Sequence, residues 1–176
     1  MSQPASRSHS SVGGLVGAML VLVVLVVGYT VLRSVTSNDP EPSVQSVDFA
    51  TQVPAARKAA AFDLVAPARL PTGWRATSVG YTDSPASHWH IGVLTDKDRY
   101  VGLEQGNQDV RSAVEQYVDP DATRGGTAQV GGLSWRRYTD TKNDTALVRR
   151  AGRTTTLVVG HDVPRAQLEA YVASLR

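Results

Sequence analysis

Residues Val12–Leu32 read VGGLVGAMLVLVVLVVGYTVL and contain no Asp, Glu, Lys, Arg or His. An α-helix rises about 1.5 Å per residue, so about twenty residues cross a hydrocarbon core of about 30 Å. The centre of the run, Leu15–Val27, is almost all Leu, Val, Ala and Met. Each Leu or Val at mid-bilayer favours insertion by roughly 0.3–0.6 kcal/mol, and no charge opposes them. Such a helix has no solvent face, and its β-branched residues weaken a helix in water. In lipid the backbone must bond within the segment, so the helix forms there. The expectation is one transmembrane helix over 12–32, with everything after it on one side of a membrane.

A cleaved signal peptide is the competing reading. Its apolar core is usually about 7–15 residues long and is followed by a small-residue cleavage site. Here the core is longer, and the flank Arg33–Pro40 offers no such site. Under the positive-inside rule Arg7 and Arg33 nearly tie. Residues 1–11 are taken as a short cytosolic tail and the C-terminal domain as extracytoplasmic, as in a signal anchor at the cell membrane. Gly13 and Gly17 form a G-x-x-x-G spacing that lets two helices approach, so a weak homodimer through them is a further expectation. Glycine near a membrane boundary is its ordinary alternative.

The charge is evenly divided beyond the span. Of the 18 Lys and Arg, Arg7 and Arg33 flank the span, and all 16 Asp and Glu follow it, so residues 38–176 carry 16 of each sign. A nucleic-acid partner calls for a basic excess on the folded part, so none is expected. The absence of Cys excludes disulfides, thiolate metal sites and a Cys nucleophile.

Residues 33–47, with Pro40, Pro42 and several Ser, read as a linker, and 48–176 as one domain. Within Asp48–Phe62 the alanine-rich run after Pro54 predicts a helix, with Phe49, Val53, Ala56 and Ala60 on one face. Leu64–Pro71 is an extended connector. Residues 74–82, 89–94 and 100–105 read as strands separated by turns at 83–87 and 96–98. Val110, Ala113, Val114, Tyr117 and Val118 follow the period of a buried helical stripe, ended by Pro120. Arg124–Gly126 reads as loop. Gly131-Gly132 between two strand-like runs predicts a two-residue hairpin. A second hairpin turns near Gly152, and Pro164 opens a last helix carrying Leu168, Tyr171, Val172 and Leu175. The fold class is therefore α+β: an antiparallel sheet of about six strands with packed helices, preceded by the transmembrane helix.

Several landmarks stand in order along the chain: Val47-Asp48-Phe49, Ala66-Pro67, Leu70-Pro71-x-Gly73-Trp74-Arg75, Trp89-His90-Ile91-Gly92, Tyr100–Gln105, Trp135-Arg136-Arg137-Tyr138 and Leu168 with Ala173-Ser174-Leu175. Together with the anchor they resemble an uncharacterised actinobacterial family of single-pass membrane proteins with a C-terminal domain of unknown function. The resemblance covers nearly the whole chain and implies an envelope location. It carries no activity, cofactor or functional residue with it.

Candidate chemistry is sparse. His88 and His90, two apart on a strand, point to one face and would begin a Zn or Cu site, with His161 and Asp162 as further ligands. A metal-dependent envelope enzyme using His88/His90 is thus an alternative reading, although nothing fixes a third ligand. Gly132-Leu133-Ser134-Trp135-Arg136 misses the G-x-S-x-G pattern at its last position and lies past a hairpin. Glu104 is expected on a solvent face. Arg136, Arg137, Arg149, Arg150 and Arg153 crowd two hairpins. They either meet an anionic polymer or lipid headgroups, or alternate sides on edge strands, where charge discourages aggregation. The second is the expectation. No catalytic, cofactor-binding or metal residue is assigned. The leading expectation is a non-catalytic, membrane-anchored domain that binds an envelope protein or cell-wall component.

Overall fold

In a computed structural model, which describes residues 46–176, helices flank and interrupt a run of seven strands. The order is α1 (Val53–Ala59), β1 (Arg75–Thr82), β2 (His88–Leu94), β3 (Tyr100–Gly106), α2 (Val110–Tyr117), β4 (Thr123–Val130), β5 (Leu133–Thr139), β6 (Thr145–Ala151), β7 (Thr154–Gly160) and α3 (Arg165–Ala173). The span expected at 12–32, the Gly13/Gly17 spacing, the tail and most of the linker lie outside the described residues. Among the described residues no helix is long and apolar enough to cross a membrane.

The strands form one antiparallel sheet in the order β1-β2-β3-β7-β6-β5-β4. Two meanders, β1–β3 and β4–β7, are joined where β3 pairs with β7, from Val101↔Gly160 to Gly106↔Thr155. β3 is an interior strand and β4 is the far edge, so the chain between them must cross a face of the sheet. It does so as α2, whose apolar stripe thereby finds its cover. Ala113 and Val114 pack with Ala146, Val148, Leu157 and Val159, and Val110, Tyr117 and Val118 lie partly buried beside them. Asp109 starts the helix by accepting hydrogen bonds from the Arg111 and Ser112 amides at 2.9 and 3.1 Å.

The opposite face carries the larger core. Alternate residues Trp89, Ile91 and Val93 of β2, Val101 and Leu103 of β3, Leu147 of β6 and Val158 of β7 are all fully buried. They pack against Val53 and Ala56 of α1 and Leu168, Tyr171 and Val172 of α3. The connector after α1 is latched to this face by polar groups. Gln105 accepts from the Val65 amide and donates to the Asp63 carbonyl, both at 2.9 Å, and the Trp89 indole donates to the Val65 carbonyl at 3.0 Å.

Two expectations about the sheet change. It has seven strands instead of about six. Arg124–Gly126, read as loop, belongs to β4, where the register against β5 shifts between Arg124 and Thr127. Two glycines suit an irregular edge strand as well as a loop, and local sequence does not separate the two. The Gly131-Gly132 hairpin forms as expected, with φ of 60° and 75°.

Tyr171 is fully buried, stacks on Trp74 with ring centroids 5.8 Å apart, and its hydroxyl has no hydrogen-bond partner among the described residues. Burial pushes the phenol pKa above its usual value. An unsatisfied buried hydroxyl costs about 1–3 kcal/mol. Tyr171→Phe keeps the ring and removes that cost, so urea denaturation should show equal or higher stability, by up to about 1–2 kcal/mol. A loss of more than about 1 kcal/mol would show that the hydroxyl is bonded in solution.

Candidate functional site

The face of β1–β3 opposite the main core carries a polar chain five side chains long. The register sets His90 opposite Glu104 and Gly92 opposite Gly102. Glu104 Oε1 lies 2.6 Å from His90 Nδ1 and Oε2 lies 2.8 Å from His88 Nε2. An ionised carboxylate only accepts, so both ring nitrogens carry their protons toward it. On its other side His90 Nε2 lies 2.7 Å from the Ser78 hydroxyl. The Tyr117 hydroxyl from α2 sits 3.1 Å from His88 Nε2, with the two rings stacked at 5.5 Å and 3°. The chain thus runs Ser78–His90–Glu104–His88–Tyr117 across three strands and a helix.

Glu104 is not on a solvent face, as its sequence position led us to expect, for its side chain is only 8% exposed. The outward face of β3 is roofed by the imidazoles and by Tyr100, whose ring lies against the faces of Gly92 and Gly102, where a Cβ would crowd it. Burial disfavours the Glu104 charge, but hydrogen bonds from His88 and His90 and the charge of the two rings outweigh it and hold the carboxyl below its ordinary range. Burial, and after it the charge of Glu104, push the Tyr100 hydroxyl up to about 12.

The order Ser78 Oγ, His90 Nε2, His90 Nδ1 and Glu104 is that of a nucleophile, base and orienting acid. The setting differs from that of a hydrolase. Ser78 lies inside β1, which continues to Thr82 without the sharp strand-to-helix turn that exposes a nucleophile and supplies oxyanion donors. Its hydroxyl lies over Gly92, where any Cβ would collide with it. At the other end, His88 and Tyr117 border a recess of about 290 Å³ with Pro85, Asn107 and Gln108, which Ser78 does not line. Nor does the pair His88/His90 gather further ligands. Their facing nitrogens are spent on Glu104, and among the described residues no three His, Cys, Asp or Glu converge as a metal site. His161, expected beside them, is 2.8 Å from Asp144 and tilts against Tyr100 at 5.6 Å. Asp162 pairs with Arg99 at 3.2 Å.

A second feature lies on the same sheet face, over β4–β6. It is a groove of about 740 Å³ lined by Arg124, Arg136, Arg149 and Arg150, by Thr127, Gln129, Ser134 and Tyr138, and by Val110 at the start of α2. No carboxylate or imidazole lines it. The arginines were expected to alternate on edge strands. Neighbours on a strand do alternate, since Arg136 pairs with Val148 and Arg137 with Leu147, but β5 and β6 are interior strands. Arg124 of the edge strand, absent from the expected cluster, joins the groove instead of Arg137 or Arg153. Ser134, the near-miss serine, is one of its polar lining groups.

The polar chain makes stability depend on acid. Glu104 has a lowered folded-state pKa, so its contribution is complete above its ordinary value of 4.5 and is lost as pH falls through the folded value. At about pH 6, Glu104→Gln should cost about 2–3 kcal/mol. The gap to wild type, followed by thermal melts, should close as pH drops below about 4.5. A gap that stays constant down to about pH 3 would contradict this account of Glu104. A fluorophosphonate probe should leave Ser78 unlabelled, and labelling that disappears in Ser78→Ala would make the Ser78–His90–Glu104 order catalytic.

No curated protein matches the chain. A family model described as "Protein of unknown function (DUF4245)" matches residues 7–175, so nearly the whole sequence is accounted for by one family. The chain belongs to the DUF4245 family.

Proposed function

We propose that the protein is a membrane-anchored, cell-envelope protein whose α+β domain has a non-catalytic binding role. The observation that carries the reading is the groove over β4–β6. Its volume of about 740 Å³ is large enough for a ligand, and its walls offer guanidinium, hydroxyl and amide groups but no carboxylate or imidazole. Such walls hold a ligand well and are poor at moving protons at neutral pH, because Arg stays charged and unactivated hydroxyls stay protonated. The nearby acid and histidines are occupied with one another, which fits a structural part in the sheet.

The tether rests on the composition of 12–32, which contains no charged residue. The stretch beyond the span, residues 38–176, carries 16 charges of each sign, which fits a role beside a membrane without general adhesion to it.

The location is tested on the full-length chain carrying a C-terminal tag in bacterial cells. Protease added to intact spheroplasts should remove the tag, and the chain should sediment with membranes. A tag cut only after the spheroplasts are broken, or found in the soluble fraction, would overturn the proposal.

A further inference from the structure

We propose that the groove over β4–β6 is a binding site for a soluble polyanion bearing several phosphate groups, gripped by a diagonal of Arg124, Arg136 and Arg150. This names the ligand class for the binding role proposed above and rests on that reading.

The diagonal follows from the register. Arg136 on β5 is opposite Thr127 on β4 and Val148 on β6. Arg124 is opposite Tyr138, two residues along β5 in one direction. Arg150 lies two residues beyond Val148 on β6, in the other direction. All three line one groove. Diagonal neighbours on a sheet face are about 7–8 Å apart, so the three cations form a row and not a single cluster. A row with this spacing suits successive anionic groups on an extended chain better than one small ion.

The charge is also unanswered from within. The Arg ion pairs among the described residues use Arg75, Arg99 and Arg111, none of which lines the groove. Arg150 is held in place by neutral groups, donating to the Gln108 carbonyl and to Thr155 Oγ1, each at 3.2 Å. Its positive charge is therefore positioned but not neutralised. Arg presents a planar fork that matches phosphate, and Thr127, Gln129 and Ser134 add neutral hydrogen-bonding groups between the cations.

A lipid surface is the other source of phosphate. Peripheral membrane sites pair cations with several apolar side chains that enter the bilayer. Here Leu133, which lines the groove, is the one exposed large hydrophobic residue among those described, at 43%, and one such side chain is short of the several that membrane insertion uses. The surface therefore favours a polymer in solution over a headgroup layer.

The test uses the full-length chain in nanodiscs of neutral phosphatidylcholine, with fluorescent inorganic polyphosphate as the probe and anisotropy as the readout. Binding should tighten at low salt. The double variant Arg124→Gln/Arg136→Gln should weaken it at least about 10-fold and reduce the slope of log affinity against log salt by about 2. The charge-matched control Arg69→Gln/Arg165→Gln removes two exposed arginines outside the groove and should leave binding unchanged. Equal losses in both variants would mean diffuse attraction and overturn the site. No binding to polyphosphate would also overturn it, as would tighter binding when anionic lipid replaces the polymer. Loss of the circular-dichroism signal in either variant would be answered by Arg124→Lys/Arg136→Lys, which keeps the charge and should retain most of the salt slope. Failure of every polyphosphate arm, with the domain still outside the membrane in spheroplasts, would remove this ligand and leave the anchored binding domain standing.

Discussion

The pairing of β3 with β7 is the contact on which the rest of this domain depends. Each meander alone would leave a long unpaired edge of backbone donors and acceptors in the middle of the core. Joining them buries Leu103 against Val158 on one face and sets Glu104 opposite Leu157 on the other. The join also dictates the path of α2, which must travel from the interior strand β3 to the far edge. Its two ends consequently border different features. Tyr117 at the last turn meets His88, and Val110 at the first lines the arginine groove. The polar chain and the groove thus occupy the two ends of one helix on one sheet face.

An acid survives within the apolar strand β3 because its neighbours on that face are glycines. Gly92 and Gly102 face each other across β2 and β3. With no side chains there, the Tyr100 ring lies down on the sheet and closes one side of Glu104, while His88 and His90 close the others. A charged carboxylate removed from water costs several kcal/mol unless its oxygens are bonded. Both Glu104 oxygens are bonded, and each bond comes from a side chain that is itself held, His90 by Ser78 and His88 by Tyr117. The chain of five is therefore a single unit, and its members owe their positions to β1, β2, β3 and α2 together.

Much of the fold was legible because periodicity and turn chemistry are local. The stripe Val110, Ala113, Val114, Tyr117 and Val118, the glycine hairpin and the face shared by Val53 and Ala56 all follow from spacing alone. The polar chain was half legible. Counting back from the Asp96–Asp98 turn pairs Leu94 with Tyr100 and so His90 with Glu104, which gives the partner of the acid but not the roof of Tyr100 that takes it from solvent. Ser78 and Tyr117 had no such signal, for they arrive from a register with a bulge and from a helix crossing. The groove was legible only as a crowd of arginines. Sorting Arg136 from Arg137, and recruiting Arg124, required the strand order, which no local pattern encodes.

Net charge conceals the groove for the same reason. Sixteen positive and sixteen negative residues beyond position 37 sum to zero, yet charge acts over about 8 Å at physiological ionic strength, not over the whole domain. What a ligand feels is the local excess. The sheet collects three arginines from three strands into one row while the acids go elsewhere. Glu104 is taken by histidines, Asp98 by Arg75 and Glu115 by Arg111. Each of these acids is spent within the domain and is unable to neutralise the row. A balanced composition and a cationic groove are therefore compatible, and it is the topology of the sheet that separates the two.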